Sequence, residues 1–239
     1  MIRAQAHAGT LLLFVALAVI SAQSARMGVS GLIVELAQTE SDKLAAFPRA
    51  RLAAELDRVA GFFSDSLAYV PDNPWALEGL AALDLARVRL AKDPAMAMAF
   101  ARDAHTRLRE AIRQRPTSPF LWANLALAKL YLDQVDSEFF LALRHADDLG
   151  PWEPATQQGV LFAGLAAWDK LSADQRQSME RVVQRGAVRN ARKMFEIVKS
   201  YGRFDLVCPL GGYDAVAGAD CRKAAAAAKS AKRPAGDKR

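Results

Sequence analysis

The chain opens on an unbroken apolar run. Thr10 to Ala22 (TLLLFVALAVISA) carries no charge, with Arg3 before it and Gln23, Ser24 and Arg26 after it. A run of this length matches the apolar core of a signal peptide, and it is short of a full membrane span. The wider stretch Ala8 to Ala25 gives about 27 Å of helix, which just crosses a bilayer. No crisp small-x-small cleavage box follows, although Ala22-Gln23-Ser24 and Ile20-Ser21-Ala22 come near one. Beyond Arg26, Val29, Leu32, Ile33 and Leu36 recur at helical spacing, which predicts an amphipathic continuation of the same helix. This pattern favours an uncleaved anchor over residues 8–25, with a cleaved signal as the alternative. A core helix of a soluble domain fits poorly, because more than three apolar turns begin close to the terminus.

The remainder shows helical periodicity almost throughout. Leu52, Leu56, Val59, Phe63, Leu67 and Val70 form one stripe; Phe100, Ala104, Leu108 and Ala111 form another. Similar stripes join Leu161, Leu165 and Trp168, then Met179, Val182 and Val183, then Val188, Ala191, Phe195 and Val198. Helix starts are marked by a cap residue before proline at Asn73-Pro74, Asp93-Pro94 and Ser118-Pro119, and by Glu153-Pro154 with a poorer cap. Ser172 and Gln175 form a capping box, while Gly186 and Gly202 are natural stops. No stretch of comparable length alternates with period two. The prediction is an all-α protein.

Helix pairs starting at Pro74, Pro119, Pro154 and about Val188 recur at a spacing that settles near 34 residues. Within them, Pro119 to Ala128 reads PFLWANLALA, and Trp122, Asn124, Leu125 and Ala126 resemble the W-x-N-L-G run of a TPR first helix. Ala104, Leu108, Ala111 and Pro116 resemble the second-helix spacing, which Phe139, Leu143, Ala146 and Pro151 repeat. The chain therefore resembles the TPR family from about Asn73 to Gly186, departing from it in an overlong first pair. The resemblance implies an α-solenoid of antiparallel helix pairs over residues 41–207. The apolar run and its continuation set off residues 1–40 as a membrane anchor or signal segment with a linker helix, and residues 208–239 read as a loop with a basic low-complexity tail. The resemblance also implies a partner-binding role for Asn124, with Lys129 as a lone basic companion. A purely structural asparagine is the alternative. The stretch from Arg115 to Pro154, with RPTSPFLWANLALAKLYL and DDLGPWEP, further resembles single-pass TPR-like proteins encoded with exopolysaccharide synthesis genes.

Charge narrows the choice of partners. The net charge is +6 at a pI near 9.5, yet Arg222–Arg239 alone carries seven basic residues and one acid. The body from residue 1 to 221 is balanced, so the basic patch expected of a nucleic-acid binder is lacking and no nucleic-acid partner is expected. Cys208 and Cys221, in loop-like sequence, either close a small disulfide loop in an exported body or remain two thiols. The positive-inside count does not orient the chain. Export is the default for such a leader, which places the body in the periplasm at the inner membrane.

Candidate chemistry is sparse. His7, His105 and His145 are scattered, and Asp133, Asp136, Glu138, Asp147 and Asp148 fall at turns and caps. No nucleophile elbow, zinc-helix or phosphate-loop motif occurs, and no cofactor or metal is expected. Trp75, Trp122, Trp152 and Trp168 sit at repeat positions where large residues usually fill the core. The expected function is a non-enzymatic, membrane-anchored scaffold for a protein partner in an envelope machine, exopolysaccharide biosynthesis or export. The alternative is a helical enzyme acting on cell-envelope polysaccharide.

Overall fold

A computed structural model describes residues 2–44 and 49–231. The regular elements among them are all helical: α1 (Ile2–Lys43), α2 (Arg49–Tyr69), α3 (Pro74–Leu90), α4 (Pro94–Gln114), α5 (Pro119–Tyr131), α6 (Ser137–Leu149), α7 (Pro154–Ala166), α8 (Ala173–Arg189), α9 (Ala191–Ser200) and α10 (Asp214–Ala231), with short 3-10 turns between the later ones. Two compact units divide the chain, Met1–Pro116 and Thr117–Arg239.

Helix boundaries follow the local chemistry. Asn73 Oδ1 accepts from the Trp75 amide at 3.0 Å and Asp93 Oδ1 from the Ala95 amide at 3.1 Å, each just ahead of a proline that has no amide hydrogen to leave unpaired. Ser172 and Gln175 complete a reciprocal capping box. Gly202 sits at φ +66° and closes α9, a backbone that L side chains rarely adopt. Asp133, at φ 54°, turns the chain after α5, and aspartate is among the few non-glycine residues that tolerate this region. Gly186 does not stop its helix as expected. It lies inside α8, buried against Met194, where a Cβ would come within 2.6 Å of Met194 Cγ.

In the first unit α1 packs on α2, α2 on α3 and α3 on α4. Leu56, Val59 and Phe63 of α2 meet Val34 and Ala37 of α1 and Ala76, Leu80 and Leu83 of α3. Gly79 keeps the seam narrow, since a side chain there would run into the Phe63 ring. The α1 stripe predicted from Val29, Leu32 and Leu36 faces solvent instead, with Leu32 74% exposed. The buried positions are Ser30, Val34 and Ala37, one turn apart. Small residues win that face because a polar latch sits on it: Ser30 Oγ lies 2.7 Å from Ser66 Oγ, and Asn73 Nδ2 donates to Ser30 Oγ at 2.8 Å.

In the second unit α5 packs on α6 and α7, and α7 on α8 and α9. Leu121, Leu125 and Ala126 of α5, Phe139, Leu143 and Ala146 of α6, and Val160 and Leu161 of α7 are buried, many completely. The C-terminal stretch expected as a loop is helical from Asp214, so Cys221 lies on α10. Residues 232–239 of the basic tail, Lys232, Arg233, Lys238 and Arg239 among them, lie outside the described residues.

Candidate functional site

The helical wheel of α5 separates three kinds of position. Leu121, Ala123, Leu125, Ala126 and Ala128 are buried, whereas Phe120, Asn124, Leu127 and Tyr131 fall on one face at spacings of 4, 3 and 4 and stay partly exposed. On α7 the same alternation leaves Gln158, Gly159 and Phe162 half-buried on one side, over a fully buried Val160 and Leu161. Ile197 of α9 and Tyr201 just after it extend that surface, and the Phe162 and Tyr201 rings meet edge-on at 5.7 Å. Tyr131 stands near enough that its charge helps push the Tyr201 phenol up, after burial, which is the larger cause. Gln158 Nε2 donates to Asn190 Oδ1 at 3.3 Å, placing two amides at the other end. Partly exposed apolar and aromatic side chains thus line the packed helices α5 and α7 and the end of α9, with Asn124 among them.

Lys129, the expected companion of Asn124, does not reach that surface. It is only 3% exposed, and its ammonium donates to Asp136 Oδ2 and Glu138 Oε2, both at 2.8 Å. Burial alone would lower its pKa, but the two carboxylates outweigh burial and hold it above the usual lysine range. Asp136 is held below the usual carboxylate range, chiefly by that hydrogen bond. The side chain locks α5 to the start of α6, where Asp136 also caps the helix through the Glu138 and Phe139 amides. The spacing of acids seven and nine residues beyond Lys129 was the available signal, legible only once the turn at Asp133 is known.

A cleft of about 600 Å³ separates α6 from α8, lined by Phe140, Leu141, Arg144, Asp148, Asp174 and Arg181 among others. Asp147 at its wall is committed, forming an ion pair with Arg185 and accepting from Ser178 Oγ at 3.1 Å. The His145 ring packs against Trp122, tilted by 37°, at 4.6 Å between ring centroids, and His105 lies on α4 in the first unit. Among the described residues no three His, Cys, Asp or Glu side chains gather as metal ligands.

The tryptophans are not the core residues that their repeat positions suggest. Trp75 and Trp152 are 49% and 53% exposed, and Trp122 and Trp168 are half-buried. Arginines cover two of them: Arg115 stands 3.3 Å over Trp75, and Arg203 3.7 Å over Trp168. Alanine and leucine fill the seams in their place, since closely approaching helices leave no room for an indole. Cys208 and Cys221 are joined as a disulfide. Nearby, Tyr213 is almost fully buried and donates to the Val183 carbonyl at 2.6 Å, with burial raising its pKa far above the ordinary phenol value. Asp84, between Arg87 and Arg107, is the buried carboxylate of the first unit, and burial keeps its pKa above the usual range despite both arginines. Neither Tyr213 nor Asp84 stands out in the sequence, because both belong to otherwise ordinary stretches.

No protein-family model matches this chain, and no curated protein or solved structure was found to match it.

Proposed function

We propose that the protein is a non-enzymatic, single-pass scaffold of TPR-like helix pairs. Its α5/α7/α9 face holds a segment of a protein partner. The observation that carries this reading is the set of partly exposed side chains Phe120, Asn124, Leu127, Tyr131, Phe162 and Tyr201 on, or just after, three successively packed helices. Large side chains with a polar amide among them suit a partner helix or extended strand, the apolar groups supplying burial and Asn124 a backbone contact. The anchor is α1. It is long and apolar enough to cross a membrane, with Leu11 to Ile20 exposed along it, and it runs without interruption from the apolar run into the packed first unit. Periplasmic placement of the body at an inner membrane accords with the cysteine pair. The process is exopolysaccharide biosynthesis or export, a reading that rests on the resemblance of Arg115–Pro154.

Photo-crosslinking amino acids placed at Leu127 and Phe162 in living cells test the face, with exposed Gln184 on α8 as the control. A protein adduct at Leu127 and Phe162, weakened by Asn124→Ala and absent at Gln184, is the expected result. Adducts confined to Gln184 would move the site to another surface. Loss of exopolysaccharide on gene deletion, restored by the wild-type gene, is the expected cellular outcome.

A further inference from the structure

We propose that the first unit seats the turn between α2 and α3 in the lipid headgroup layer, with Tyr69 and Trp75 as the aromatic contacts. This deepens the anchoring reading and rests on it. The stretch long enough to span ends at Ala25, and the next residue ties the turn to the helix: Arg26 Nη2 and Nε donate to the Tyr69 carbonyl at 2.7 and 3.2 Å. One helical turn further along, Asn73 Nδ2 donates to Ser30 Oγ at 2.8 Å. Tyr69 therefore sits level with the end of the apolar segment, and Trp75 about 5 Å above it. The headgroup layer is about 5–7 Å thick on each side, so both rings fall within it when residues 8–25 fill the hydrocarbon. Tyr69 and Trp75 are 42% and 49% exposed, with Pro71 exposed between them, at the depth where tyrosine and tryptophan concentrate in membrane proteins. Charge does not supply the attraction. Of the arginines at this end, Arg113 and Arg115 are paired with Glu110 and Glu78, and Asp72 offsets the remaining charge of Arg26. A zwitterionic lipid surface is accordingly the partner that fits.

The experiment uses the full chain reconstituted into phosphatidylcholine vesicles containing a trace of phospholipid with a diazirine in its headgroup. After flotation and illumination, lipid adducts are mapped by mass spectrometry. Adducts at residues 69–75 are expected, and none at the α3–α4 turn around Lys92, about 25 Å away at the other end of α3. The variant carrying Tyr69→Ser and Trp75→Ser should still float and should lose those adducts several-fold, with only a small fall in melting temperature from the lost Arg115–Trp75 stacking. Protein that floats but carries adducts only within α1 would overturn the docking and leave the anchor standing. Protein that does not float would overturn both.

Discussion

Among single residues, Lys129 shows how burial decides which partner matters. Its side chain is 4% exposed, whereas those of Asp136 and Glu138 are 52% and 31% exposed. Lys129→Met leaves two acids with access to water and should cost less than about 1 kcal/mol. Asp136→Asn together with Glu138→Gln strands a buried ammonium and should cost roughly 2–4 kcal/mol, read as a fall in urea midpoint. The same cluster sets a pH response. The folded-state pKa of Asp136 is depressed, so its contribution is present above the unfolded value and disappears as pH falls through the folded one. Stability should thus fall as pH drops below the ordinary carboxylate value of about 4, and Asp136→Asn should flatten that limb of an acid titration. Trp122 and Ala146 give the packing contrast. Trp122→Ala should cost about 1–2 kcal/mol because the indole is only half-buried against His145, whereas Ala146→Leu should cost about 1–3 kcal/mol or more at a fully closed seam, both by thermal melting.

At the level of elements, a disulfide and a buried tyrosine help to tether the C-terminal helix, beside the Lys199–Asp220 ion pair to α9. The disulfide joins Cys208, just past α9, to Cys221 on α10, and Tyr213 pins the intervening turn to α8 through Val183. Replacing both cysteines by serine closes off a short loop constraint and should cost about 2–3 kcal/mol, with hydrogen exchange rising in α10 and little elsewhere. Tyr213→Phe removes one hydrogen bond, about 1 kcal/mol, while Tyr213→Ala opens a cavity and should cost about 3–5 kcal/mol by the same melting assay. Gly79 and Gly186 act at this scale too. Each lets a ring or thioether of the neighbouring helix rest on backbone, which a periodicity scan records only as a small residue.

For the whole molecule, the decisive feature is the unbroken run of α1 from the apolar segment into the first unit. Ser30, Val34 and Ala37 on it are buried in that unit, so the apolar segment and the domain share one continuous helix. Protein isolated from native membranes should therefore retain residues 11–25 by terminal sequencing and mass. A mature chain starting near Gln23 would show a cleaved signal instead.

The sequence by itself determined the helical class, the apolar segment, and the starts of α3, α4, α5, α7 and α8, because caps, prolines and 3.6-residue periodicity act within a few residues of each other. The spacing of Ala104, Leu108 and Ala111, and of Phe139, Leu143 and Ala146, likewise marks buried stripes. Tertiary structure alone decided which of two apolar stripes on α1 is buried, since that depends on Ser66 and Asn73 finding Ser30 from distant positions. It also decided that Lys129 is a brace, because the turn at Asp133 folds Asp136 and Glu138 back onto it. The tryptophans left the core for the same reason: composition records an indole's appetite for burial, but the distance between helices determines whether it fits.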